Sequence, residues 1–170
     1  ENRFYYITTM NENYLQPEMP QGVEEGIIQG MYHFKTSTAV GDLHVRLLGC
    51  GAILREVEAA AVILERDYQV AADVWSMTSV NELQREGKAV QRWNLLHPEA
   101  EPRVPYVTRQ LCGSTGPVVA ATDYLKSYAD QIRAFVPGTY TVLGTDGFGR
   151  SDTRSKLREF FEVSREDIVL

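Results

Sequence analysis

From residue 44 onward, apolar runs of strand length alternate with longer amphipathic stretches, and this alternation restricts the fold more than any other feature. The run His44-Val45-Arg46-Leu47-Leu48 reads as a strand closed by Gly49-Cys50-Gly51. A helix is predicted over 53–68, where Ile53, Val57, Ala60, Ala61 and Leu64 recur at three-to-four spacing and Arg55, Glu56, Glu58, Glu65 and Arg66 share the wet side. Further strands are predicted at 72–78, 117–122 and 139–143. Further helices run through Glu82, Leu83, Val90 and Trp93 with Asn81 as cap, over 123–136, and over 153–161. Pro98, Pro102 and Pro105 mark a long irregular stretch. Near-continuous apolar strands separated by helices indicate a mostly parallel sheet covered on both faces. With right-handed crossovers the expected fold is α/β, a three-layer α/β/α sandwich.

Upstream of this region, residues 24–28 suit a short helical turn, and over 30–35 Met31, His33 and Lys35 alternate with Tyr32 and Phe34, the pattern of an edge or antiparallel strand. Gly41-Asp42 is a turn signal. With 170 residues, 44% of them hydrophobic, the chain has enough apolar material for one core. Its net charge is −6 and no Lys/Arg cluster stands out, so neither nucleic acid nor an anionic membrane is an expected partner. No apolar run approaches the roughly 20 residues that span a bilayer. Two cysteines far apart, Cys50 and Cys112, argue against a disulfide scaffold or zinc site and for a reducing, cytoplasmic setting.

Both ends predict a piece of something larger. Phe4-Tyr5-Tyr6-Ile7-Thr8-Thr9 has the apolar, aromatic character of a buried strand, yet the loop over 11–22, with Pro17 and Pro20, separates it from the downstream elements. At the other end Ser164-Arg165-Glu166-Asp167 is patterned as a helix start, and the sequence stops three residues later. Residues 1–22 are therefore expected to close a preceding domain, with 23–170 forming a domain that is itself cut short.

Three places carry candidate chemistry. Gly49-Cys50-Gly51 between a strand and a helix is similar to the opening of a dinucleotide fingerprint, but Leu54 occupies the third glycine's place and no acid follows the next strand, which favours a tight structural turn. Cys50 near a helix start is a candidate for a lowered thiol pKa, although a small buried apolar role suits it better. The string Gly144-Thr145-Asp146-Gly147-Phe148-Gly149-Arg150-Ser151-Asp152-Thr153-Arg154 spends three glycines beside charges at a strand end. Ser151 or Asp152 suits a helix cap there. Arg150 and Arg154 are suited to a carboxylate or phosphate, or to locking against Asp146 and Asp152 at a subunit contact, the structural reading being favoured. His33, His44 and His97 have no ligand spacing, so no metal site is assigned. No nucleophile elbow, P-loop or catalytic carboxylate pair is present.

Several strings together go further. Tyr6-Ile7-Thr8-Thr9-Met10-Asn11-Glu12-Asn13-Tyr14, Glu24-Glu25-Gly26-Ile27, Arg92-Trp93-Asn94-Leu95-Leu96-His97-Pro98, Thr122-Asp123-Tyr124 and the 144–152 glycine string closely resemble the C-terminal part of the bacterial homodimeric pyruvate dehydrogenase E1 family. The resemblance implies a transketolase C-terminal-domain-like fold with a mixed sheet whose first strand is antiparallel, and a preceding pyrimidine-binding domain ending within 1–22. It implies a parent oxidoreductase that decarboxylates pyruvate on thiamine diphosphate with Mg²⁺ and passes acetyl to the lipoyl group of E2. The implied partners are the rest of the E1 chain, a second E1 subunit and the E2 dihydrolipoyl acetyltransferase. The family's metal-binding Gly-Asp-Gly…Asn segment and its activating glutamate have no match here, so no catalytic, cofactor-binding or metal residue is carried over, and this segment alone is expected to bind no cofactor. Leu111-Cys112-Gly113-Ser114-Thr115-Gly116 departs from the ordinary loop expected there, as family variation or a local binding surface. The reading from another class is a stand-alone α/β module that binds an anion or nucleotide at the 49–51 turn or the 144–149 loop.

Overall fold

Period-two burial along the central strands decides which helix covers which face. The computed structural model describes residues 2–7, 13–39, 41–114 and 116–170. Among these, five strands, β1 (Met31–Lys35), β2 (His44–Cys50), β3 (Ala71–Met77), β4 (Val118–Ala121) and β5 (Tyr140–Leu143), form one sheet in the order β1-β3-β2-β4-β5. β1 pairs antiparallel with β3, Met31 opposite Met77, and the remaining pairs are parallel. The helices are α1 (Glu24–Gln29), α2 (Leu54–Tyr68), α3 (Val80–Leu96), α4 (Tyr106–Leu111), α5 (Lys126–Asp130), α6 (Arg154–Phe160) and α7 (Arg165–Val169).

Val45 and Leu47 of β2 face Val57, Ala60 and Leu64 of α2, with Ile168 of α7 closing that layer. Leu48 and Cys50, on the opposite face of the same strand, meet Leu83 of α3, Val107 of α4 and Ile132 beyond α5. Each fully buried Leu, Val or Ile contributes about 1.5–3 kcal/mol, so two separate clusters hold the layers. This is the expected three-layer α/β/α sandwich, with one antiparallel strand at the edge.

Several local expectations are corrected. Ser79, not Asn81, caps α3: its hydroxyl accepts from the Glu82 N–H at 3.2 Å, while Asn81 lies one residue inside the helix and accepts from Gln131. The helix predicted over 123–136 is reduced to α5 and a 3₁₀ turn, Arg133–Phe135, because the loop after β5 competes for its backbone. There Asp146 Oδ1 accepts from the Lys126 N–H at 2.9 Å, and the Thr145 N–H donates to the Tyr124 carbonyl at 2.9 Å. The irregular stretch ends in α4, whose single turn and a half is too short to show periodicity in sequence. Glu56, read as wet, is buried. Residues 2–7 form no strand and Phe4 to Ile7 are exposed, since none of the described strands lies alongside to pair with them. Thr8 and Thr9 of that predicted strand, and Asn11 and Glu12 of the loop behind it, lie outside the described residues. Ser164 does begin a helix: its hydroxyl and the Asp167 carboxylate form a reciprocal capping box on α7.

Candidate functional site

The chain leaves β2 through α2 toward β3 on one side, and leaves β4 through α5 toward β5 on the other. β2 and β4 are parallel neighbours, so their carboxyl ends flank the point where the strand order reverses, the place where open α/β sheets form ligand crevices. A cleft of about 400 Å³ opens there. Ala52 and Ile53 after β2, Asp123 after β4, Thr145 and Gly147 after β5, and one side of α6 line it.

The Gly49-Cys50-Gly51 turn forms one lip, and geometry explains its glycines. A Cβ on Gly49 would sit 2.7 Å from the Leu54 Cα, and Gly51 adopts φ +57°, a conformation costly for other residues. The pair lets α2 begin hard against its own strand, as the tight-turn reading expects. The Cys50 side chain turns to the other face of the sheet. Burial pushes its thiol up and the nearby Asp123 charge adds to this, against a hydrogen bond with Thr122, so the suggested lowered pKa is corrected.

The 144–154 loop forms the opposite lip. Within the chain its aspartates engage backbone amides: Asp146 takes the Lys126 amide and Asp152 the Thr153 amide at 2.6 Å. Thr145 Oγ1 donates to the Asp123 carbonyl at 2.5 Å, joining the ends of β4 and β5. The Arg150 guanidinium lies 5.0 Å from the centre of the Phe160 ring. The helix cap is Thr153, whose hydroxyl accepts from the Lys156 N–H, rather than Ser151 or Asp152.

Two buried charges that sequence reading did not single out shape the surroundings. Glu56, on α2, accepts from Arg158 Nη1 at 2.9 Å and from Arg165 Nε at 2.8 Å, which ties α6 and α7 to α2. Burial alone would raise the Glu56 pKa, but the hydrogen bond and charge of Arg165, with the charge of Arg158, outweigh it and hold the carboxyl below its ordinary value. Arg46 on β2 donates to the carbonyls of Leu111, Gly116 and Pro137 beneath the sheet. The 111–116 departure is thus partly a mooring for a buried guanidinium, whose pKa burial lowers; Thr115 lies outside the described residues.

The histidines stay dispersed. His33 packs edge-on against Trp75, His97 stacks on Trp93 at 4.4 Å, and His44 is exposed. No group of three or more His, Cys, Asp or Glu that could hold a metal occurs among the described residues, and none of the helices found there is long and apolar enough to cross a membrane.

Comparison with known proteins then fixes the lineage. Residues 30–164 match the transketolase-like TK C-terminal domain. The chain belongs to that family. Among curated relatives it is 60% identical to the pyruvate dehydrogenase E1 component of Pseudomonas aeruginosa over 168 residues, 98% of this chain and 19% of that protein. It is 52% identical to the pyruvate dehydrogenase E1 component of Escherichia coli K12 over 171 residues, covering 100% of this chain and again 19% of the relative. The chain therefore spans about a fifth of the length of the relatives it matches. Solved transketolases share the fold: that of Campylobacter jejuni gives a TM-score of 0.56 at 22% identity over 83% of this chain and 18% of its own, and that of Leishmania mexicana 0.56 at 21% over 88% and 18%. The transketolase C-terminal architecture and the E1 resemblance read from the sequence both agree with these findings.

Proposed function

We propose that this chain is the C-terminal, dimer-supporting domain of a pyruvate dehydrogenase E1 subunit. The single observation that supports this reading best is identity of 60% sustained over 98% of the chain with a protein of that name. On this reading residues 1–22 end the preceding pyrimidine-binding domain and its linker, and 23–170 belong to the transketolase C-terminal-like domain. The parent is a cytoplasmic homodimer that decarboxylates pyruvate on thiamine diphosphate and Mg²⁺ and hands the acetyl group to a lipoyl arm of E2. The switch-point cleft does not fit the cation of that cofactor. It presents one lining carboxylate, Asp123, beside three arginines, which is no oxygen cage for a divalent cation. Catalysis is therefore assigned to the remainder of the parent, and this domain's role to holding that remainder and its partner subunit in place.

A chimera tests the proposal. The matching segment of the Pseudomonas aeruginosa E1 component is replaced by this chain, and dimerisation and pyruvate-dependent reduction of an artificial acceptor are measured. The expected result is an active dimer. A chimera that folds but stays monomeric, or that dimerises without activity, overturns the assignment.

A further inference from the structure

We propose that Phe148, set between Gly147 and Gly149 at the tip of the 144–154 loop, is an anchor that seats in an apolar pocket of the second E1 subunit. The assignment rests on the E1 reading and adds to it the place of a dimer contact. Three observations carry it.

The first is a bare aromatic on a fixed loop. Phe148 is 94% exposed, while the base of its loop is tied down. The Thr145 N–H donates to the Tyr124 carbonyl at 2.9 Å, and the Lys126 N–H donates to Asp146 Oδ1 at 2.9 Å. A Cβ on Gly144 would lie 2.8 Å from the Lys126 nitrogen, so the loop sits hard against the segment after β4. Aromatic side chains are enriched at interfaces, and an anchor held in place beforehand loses less entropy on binding. The second is Gly149. Its φ is not left-handed, and a Cβ built on it meets nothing within 4 Å. Neither backbone conformation nor packing inside this chain asks for glycine there, although glycine loses more freedom on folding than any other residue. Close approach of a neighbouring molecule to the backbone does ask for it. The third is the setting. Tyr124 and Leu125 follow β4 beside the loop, Phe160 lies 5.0 Å from the Arg150 guanidinium, and all three rings or side chains are more than half exposed. Arg150 and Asp152, both exposed, border them, which gives an apolar centre with a charged rim.

The strand order says which partner. Only 19% of the Pseudomonas aeruginosa relative is matched, so the receiving surface lies outside this chain. The preceding domain of the same subunit joins through residues 1–22, which lead into α1 and β1. β1 and β5 are opposite edges of the sheet, four strand spacings or about 19 Å apart. The chain's own preceding domain is tethered at the β1 edge, and the loop after β5 is left for the second subunit.

The test uses the Pseudomonas aeruginosa chimera described above, labelled separately with donor and acceptor dyes, and follows subunit exchange by energy transfer. Phe148→Ala should speed exchange by about tenfold, as loss of an interface anchor acts mainly on dissociation. Gly149→Ala should also speed it. Leu95→Ala, which removes an exposed side chain at the far end of α3, should leave it unchanged. In the isolated 170-residue chain neither Phe148→Ala nor Gly149→Ala should lower the melting temperature, because neither position is packed within it. A dimeric chimera whose exchange ignores Phe148→Ala, equal acceleration by Leu95→Ala, or a melting temperature that falls as much in the isolated chain each overturns the anchor while leaving the E1 reading intact. A chimera that does not dimerise overturns both.

Discussion

The residue whose structural role departs most from its sequence reading is Glu56. Local pattern puts a glutamate on the wet side of α2, but position 56 is three from Ile53 and four from Ala60, on the edge of the buried stripe. What makes it tolerable there comes from more than a hundred residues away, in Arg158 and Arg165, which no local pattern reveals. Arg46 is the same kind of case: a charge inside an apolar strand was visible, but the three carbonyls that receive it were not. Glu56→Gln keeps the shape and removes the charge. Arg165 is 44% exposed and can turn to water, so the loss is smaller than for a fully buried pair, about 1–3 kcal/mol near neutral pH. The pH dependence comes from the direction of the shift. The folded-state pKa of Glu56 lies below its unfolded value, so the stabilisation is fully present above about pH 4.3 and is lost as pH falls through the folded value. Urea midpoints of the two proteins should differ at pH 7 and converge at strongly acidic pH; a difference that stays constant with pH counts against the ion pair.

At the scale of elements, helices with a full stripe were legible and those shaped by a neighbouring loop were not. α2 and α3 are long enough to show their periodicity, whereas the segment after β4 carries helix-forming residues whose backbone is claimed by Thr145 and Asp146. Gly87 shows the same competition between local preference and packing. In the middle of a 17-residue helix, glycine costs about 1 kcal/mol relative to alanine. Taken alone, that makes Gly87→Ala a stabilising change. The site disagrees, because a Cβ there would lie 2.5–2.7 Å from ring atoms of Phe135, which is itself buried in the core under α3. Overpacking of this kind costs about 1–3 kcal/mol against a propensity gain of about 1 kcal/mol, so Gly87→Ala should lower the unfolding free energy, by up to about 2 kcal/mol. Adding Phe135→Leu to the alanine variant should return part of the loss relative to the sum of the single changes, as coupled neighbours do. Denaturant titrations of the two single variants and the double variant check both statements, and a gain in stability for Gly87→Ala alone refutes the packing argument.

For the whole molecule, the layered fold was readable because alternation of strands and helices is a property of consecutive residues, while the cleft was not, because it gathers residues that come after β2, β4 and β5 at one sheet end. The same separation of local and long-range information governs the N-terminal segment. Phe4, Tyr5, Tyr6 and Ile7 have the composition of a buried strand yet are 93%, 80%, 88% and 77% exposed, while Met31 and Leu47 in the two cores are fully buried. Burial, not composition, carries stability, so removing residues 1–7 should change the unfolding free energy by no more than about 0.5 kcal/mol, the usual range for surface changes. Solution behaviour should change more. Four consecutive exposed apolar side chains, three of them aromatic, form a patch of the kind that drives self-association. The shortened chain should therefore keep its melting temperature in calorimetry while scattering less light at high concentration. If the deletion instead cost several kcal/mol, the segment would have to pack on the core in solution, and the two-cluster account of this fold would need a third.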